Sequence, residues 1–351
     1  MTPAPRLVYA DVIRAWAIVG VVVLHTVAPL ASRLGEIPAS HWWAANLIDS
    51  LTRTSVPLFV MISGLLLLDP ARQESPLTFM RRRVVKVIWP LIVWSLIYLA
   101  WKLARGGEIS LPNALVKALT QPAHFHLWFL YMLVGLYLIT PALRLFTRHA
   151  NRAEWIWILS LWFVLVGLLK VVLWLFNLKG LGSTKFTFDL VTQFVGYFLL
   201  GRFLAATVLD AAGKRLAWAG LGLAWGFTAG ATYVTLSINK EWAKLFHTYT
   251  PVFYVILLSV CAFLLLKSAH EPTDACRAPS LGTRLLSRHA FAIYLIHAMV
   301  LESLDQDWGL AAGRWIHPWI DIPLVAGLAL AVSLLASAVL QRIPGVRTIV
   351  P

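Results

Sequence analysis

The stretch DVIRAWAIVGVVVLHT, residues 11–26, is apolar enough to lie in lipid, yet it carries Arg14 and His25. Taken on to residue 29, the run reaches the length of about 20 residues that a helix needs to cross a hydrocarbon core of roughly 30 Å. Runs of the same kind recur along the chain, and the hydropathy pattern predicts spans near 11–29, 45–69, 84–103, 126–147, 155–176, 188–208, 215–237, 250–267, 288–304 and 322–341. Only 13% of the residues are charged and 59% are hydrophobic, against about 25% charged in soluble domains. The mean hydropathy is +0.74. These values belong to an integral membrane protein.

Within lipid the backbone must satisfy its own hydrogen bonds, which leaves helices and closed barrels. The apolar runs are too long and too uniform for barrel strands, whose residues alternate between lipid and lumen. The fold class expected is therefore an all-α polytopic membrane protein. It is read as a bundle of about ten transmembrane helices forming a single domain over residues 1–351, with no soluble extra domain.

Basic loops are retained on the cytoplasmic side. With both termini cytoplasmic, the inside segments collect the larger share of Lys and Arg, including Arg6, Arg72, Arg81 to Arg83, Lys86, Arg144, Arg148, Arg152, Lys214, Arg215, Lys267, Arg277, Arg284 and Arg288. The outside segments hold fewer, among them Arg33, Lys102, Arg105, Lys117, Lys170, Lys179, Lys185, Lys240, Lys244 and Arg314. An even number of spans with both ends inside follows. The first run, with APLAS ending at Ser32, also has the outline of a signal peptide, but Asp11 and Arg14 sit badly in such a segment.

A net charge of +14 suggests affinity for nucleic acid, but the basic residues are spread over alternate loops. That distribution fits topology and contact with anionic membrane lipids, and no nucleic-acid partner is expected. Cys261, in a span, and Cys276, in a loop, match neither a disulfide framework nor a metal motif. Many of the 17 tryptophans are expected to anchor the membrane interfaces. The sequence says nothing about oligomeric state.

Ionisable residues inside spans are costly and by default mark function. Eleven helical steps separate Arg14 from His25, which returns them to nearly the same face with a rise of about 16 Å. Asp11, three residues before Arg14, is in position to pair with it. The alternative is that Arg14 snorkels to the inner interface and His25 is merely interfacial. Asp49 and Arg53 are four apart near the outer end of the second span, either as a structural ion pair or as part of a site. HFHLWFLYMLVG opens the fourth span and puts His126 at the same side, with His124 read as a loop residue. In HAFAIYLIHAMVLE, Tyr294 and His297 fall in the middle to outer half of the ninth span. Glu302, Asp305 and Asp307 are placed at an outer loop, either solvated or in contact with a ligand.

YADVIRAWAIVGVVVLHT, RTSVPLFVMISGLLLL, HLWFLYMLVGLYLITP, GYFLLGRFL and IYLIH, in that order, resemble the acyltransferase-3 family of membrane acyltransferases over nearly the whole chain. The most specific element is the Arg, ten residues, His spacing with Asp three before the Arg. The chain looks most like the short stand-alone members that O-acetylate surface polysaccharides, of the enterobacterial common antigen O-acetyltransferase type.

That resemblance implies an O-acetyltransferase of the bacterial cytoplasmic (inner) membrane. It would move acetyl from cytoplasmic acetyl-CoA to a sugar hydroxyl of a lipid-linked or surface glycan, without a metal. Arg14 and His25 match the family's essential pair. An Arg-x-x-Arg element of the family corresponds here to Arg83 and Lys86, and the lysine weakens the case for bidentate phosphate binding at that position. Under this reading Arg14, Arg83 and Lys86 hold the coenzyme's phosphates while its arm threads along the first helix. His25 is the general base, with an acyl-imidazole intermediate as the variant left open. Arg53, oriented by Asp49, or His126 would stabilise the oxyanion, and His297 and Tyr294 would contact substrate. The competing class is a transporter or flippase of glycan precursors, although no inverted repeat supports it. A non-catalytic assembly partner would leave Arg14 and His25 without a role.

Overall fold

The computed structural model describes residues 7–71, 74–107, 118, 121–169, 171–172, 186–238, 251–270 and 279–350. Arg6, Arg72, Lys117, Lys170, Lys179, Lys185, Lys240, Lys244, Cys276 and Arg277 lie outside the described residues, as do most of the expected outer loops at 177–187 and 238–249. Among the described residues all regular structure is helical. In chain order the helices are α1 (Val8–Ala31), α2 (Ala39–Thr52), α3 (Ser55–Leu67), α4 (Pro76–Ala104), α5 (Trp128–His149) and α6 (Arg152–Trp162). They are followed by α7 (Phe186–Phe203), α8 (Ala211–Ile238), α9 (Phe253–Ser268), α10 (Leu281–Gln306) and α11 (Pro318–Leu340). Among the described residues seven helices are long and apolar enough to cross a membrane: α1, the run Ala39–Leu67, α4, Phe125–His149, α8, α10 and α11. The segments Leu190–Ala206 and Phe253–Ser268 are apolar but shorter. Helix α6 passes into a wider π-helical turn over Phe163–Leu168.

Helix α1 packs against α2, α3, α9, α10 and α11. Its buried face includes Ile13, Ala17, Ile18, Val22 and Leu24, so the helix that bears Arg14 and His25 is the shared wall of the bundle. Helices α3 and α7 cross closely because glycine faces backbone in both directions. A Cβ on Gly64 would strike the Phe198 carbonyl, and one on Gly201 would strike that of Met61. Small residues at such crossings are the usual device of helix association in membranes.

Three boundaries differ from expectation for identifiable reasons. The span expected at 45–69 starts earlier and is interrupted at Arg53 and Thr54. Pro57 has no N–H to offer the Arg53 carbonyl, so one helix closes and the next begins. The span expected from 84 begins at Pro76, where Ser75 accepts from the Thr78 N–H and proline occupies the first turn. Arg83 and Lys86 are consequently two turns or more inside α4. The ninth span runs to Gln306 with no Gly or Pro to stop it. Glu302 and Asp305 therefore stand on α10, with Asp307 at its cap, rather than in a loop.

Candidate functional site

The first helix connects two cavities. Near its start Arg14 lines a pocket of about 220 Å³ together with Lys86, Phe59, Val87, Phe129, Tyr137, Phe291 and Tyr294. Near its end His25 lines a wider cleft of about 460 Å³ with Arg33, His41, Phe125, Glu302, Asp305 and Arg314. Both are walled chiefly by apolar side chains; the narrow pocket adds the cations Arg14 and Lys86, whereas the cleft adds charges of both signs, Arg33, Arg314, Glu302 and Asp305.

Arg14 is anchored on two helices. Its Nη1 lies 3.3 Å from Asp11 Oδ1 and 3.1 Å from Ser287 Oγ of α10. The Ser287 hydroxyl in turn donates to Asp11 Oδ1 at 2.7 Å. The expected pairing with Asp11 is present, and 30% of the Arg14 side chain remains accessible. Lys86 lines the same pocket. Arg83, one turn earlier on α4, is not part of the lining.

Around His25 the aromatic and imidazole rings converge. The His25 ring is 5.2 Å from that of His297 and 5.0 Å from Phe125, which it meets edge-on. His297 is 5.3 Å from His126, and Tyr294 donates a 2.5 Å hydrogen bond to the His126 carbonyl. His126 and His297 are both fully buried. His297 Nδ1 is 2.6 Å from the Tyr294 carbonyl and 3.2 Å from that of Ile293. A carbonyl only accepts, so Nδ1 carries the proton and Nε2 holds a lone pair. Four residues predicted from three separate spans thus form one cluster, and Tyr294 belongs both to it and to the narrow pocket's wall.

Asp49 and Arg53 are held together as the spacing predicts, both buried, with Arg53 Nη2 2.8 Å from Asp49 Oδ2. They do not line either cavity.

Two residues of the cluster escaped the sequence reading. His124, read as a loop residue, stacks on Tyr98 with centroids 4.3 Å apart. Its Nδ1 is 2.9 Å from His126 Nδ1, and its Nε2 is 2.8 Å from Glu302 Oε1. Glu302 also accepts from Trp101 Nε1 at 2.8 Å. Nothing local marks these contacts. The uninterrupted helical pattern from Thr283 to Trp308 was the available sign that Glu302 stays on the helix.

The sequence profile of the acyltransferase-3 family, described as an acyltransferase domain, matches residues 7–338. No curated protein and no solved structure matches the chain.

Proposed function

The chain belongs to the acyltransferase-3 family, and from that membership we propose that it is an acetyl-CoA-dependent O-acetyltransferase acting on a sugar hydroxyl of a lipid-linked or surface polysaccharide. It works in the bacterial cytoplasmic membrane, with ten spans and both termini in the cytoplasm, so that the Arg14 end of α1 faces the cytoplasm and the His25 end faces outward.

The observation that supports this reading is that Arg14 and His25 share one helix yet line two cavities, one with cations alone among its charged groups and the other with charges of both signs. The narrow pocket suits a thin, uncharged arm entering past cations. Arg14 and Lys86, with Arg83 nearby on α4, hold the phosphates of coenzyme A. The apolar walls from Phe59, Phe129 and Phe291 pass the pantetheine arm toward Tyr294. The wider cleft suits a polyhydroxyl acceptor, because Arg33, Arg314, Glu302 and Asp305 offer it both donors and acceptors.

His25, opening on that cleft, takes the proton of the sugar hydroxyl as its oxygen attacks the thioester carbonyl. Collapse of the tetrahedral adduct forms the ester and releases the coenzyme A sulfur, which recovers the proton from the imidazolium. His297 and Tyr294 shape the acceptor side of this reaction. Asp49 and Arg53 serve the same architecture as a buried ion pair closing the end of α2.

The test is transfer of label from acetyl-CoA to a glycan lipid by the purified protein in lipid nanodiscs. Labelled glycan is expected, and His25→Ala should abolish it while leaving expression and folding intact. A transporter or an assembly scaffold would transfer no label, and normal transfer by His25→Ala would remove the base assignment.

A further inference from the structure

Helices α10 and α11 are joined by the loop 307–317. Residues 310–314 of this loop line the cleft on which His25 opens. The loop is thus a wall of the site, and a buried carboxylate behind it decides where that wall stands.

The carboxylate is that of Asp321, in the first turn of α11 and 4% exposed. An acidic residue there complements the helix dipole, but its bonds run outside the helix. A single oxygen, Oδ2, accepts from the backbone N–H groups of Gly313, Trp315 and Ile316 at 3.1, 3.2 and 3.3 Å. Neighbouring N–H groups turned toward one anion form a nest, and here the chain supplies the anion itself. Gly313 permits the turn with a φ of +77°, in the left-handed region that suits glycine. It also brings the loop against α1, since a Cβ on Gly313 would lie 2.9 Å from Leu30 Cδ2, on the same helix as His25.

We propose that Asp321 is a positioning residue for the acceptor: it clamps the loop 307–317 against the end of α1, and the loop so held seats the glycan in the cleft and presents Arg314 to it. The clamp rests on backbone hydrogen bonds alone, whereas the ligand it serves rests on the acyltransferase reading.

Arg314 Nη2 is 3.3 Å from Asp305 Oδ1, but the two side chains are 59% and 49% exposed, and an ion pair so placed contributes little order. Order in the loop falls instead to its buried contacts, Leu30 on one side and Asp321 on the other. Hydrogen bonds to a charged acceptor are the stronger kind. Arg314 lies between two of the residues that Asp321 binds, so their backbone fixes where its side chain starts. Asp321 itself lines neither cavity, and it therefore acts through the loop. No residue of the loop lines the narrow pocket, so binding of the donor is independent of the clamp.

The experiment is amide hydrogen exchange of the full-length protein in lipid nanodiscs, with and without a polyprenyl-diphosphate-linked oligosaccharide. It is paired with steady-state kinetics of the same preparations. The amides of Gly313, Trp315 and Ile316 should exchange slowly in the wild type and as free backbone in Asp321→Ala. Asp321→Asn, which keeps an acceptor oxygen without the charge, should fall between. The oligosaccharide lipid should slow exchange at 310–314 further in the wild type. Its KM should rise about tenfold in Asp321→Ala, the scale of one lost hydrogen bond, with the KM for acetyl-CoA and kcat unchanged. Gly313→Ala strains the same loop from the α1 side with Asp321 in place, and should raise the same KM.

Free exchange in the wild type, or equally slow exchange in Asp321→Ala, overturns the clamp. Lost protection with an unaltered KM for the oligosaccharide lipid, or with a fall in kcat alone, overturns the positioning role. Should Asp321→Ala fail to fold, Asp321→Asn and Gly313→Ala decide by the same readings. A wild type that transfers no acetyl counts against the acyltransferase reading, while exchange still decides the clamp and whether the oligosaccharide lipid sits in the cleft.

Discussion

Arg53 presents both Nε and Nη2 to a single oxygen of Asp49, at 3.0 and 2.8 Å, with each side chain 6% exposed. The pair sits where α2 gives way to α3. Removing one partner strands a buried charge, which costs on the order of 3–5 kcal/mol. Arg53→Ala or Asp49→Ala should therefore lower the unfolding temperature in detergent sharply. The double substitution should be milder than the sum of the two, because it leaves no lone charge. A single substitution without thermal effect would mean that the pair does not stabilise the fold.

The crossing of α3 with α7 makes a steric prediction. Gly64→Ala and Gly201→Ala each drive a methyl group into a carbonyl of the facing helix. Overpacking of this kind costs typically 1–3 kcal/mol, and more where backbone rather than side chain must yield. Ala at Gly222, where a Cβ meets nothing within 4 Å, is the control and should leave the protein's melting temperature in place.

What the sequence disclosed follows from the range of the interactions involved. The placing of Arg14 and His25 on one face is helical arithmetic, and the structure puts both on α1, lining two cavities. The break near Arg53 was legible in Pro57 once its missing N–H is considered. The contact of His124 with Glu302 joins residues 178 positions apart, and no local pattern encodes a meeting that depends on how α4, α5 and α10 pack. The narrow pocket was illegible for the same reason. Lys86 comes from α4, Phe129 from α5 and Phe291 from α10, and the space among them exists only after the bundle has formed.

Arg14 separates a binding role from a structural one. In Arg14→Ala, Ser287 still donates to Asp11, so α1 and α10 remain joined and folding should be retained. Loss of charge-assisted hydrogen bonds to phosphate, about 1.5–3 kcal/mol, corresponds to acetyl-CoA affinity weaker by roughly ten- to a hundredfold. Calorimetric titration of the purified variant gives the number directly. Affinity equal to that of the wild type would make Arg14 a structural residue.

The path of the donor arm is tested by closing the narrow pocket. Ser63 lines it from α3, and its hydroxyl donates only within its own helix, to the Phe59 carbonyl at 2.8 Å. Gly64, its neighbour, carries the contact with α7, so the side chain at 63 is directed to a different surface. Ser63→Phe should fill much of the 220 Å³ with little change in the melting temperature. If the arm runs there and the glycan is seated in the separate cleft at His25, as proposed, the variant loses acetyl-CoA binding and transfer together, yet keeps wild-type affinity for the glycan. Transfer at the wild-type rate by a folded Ser63→Phe protein would show that the thioester reaches the imidazoles by another route.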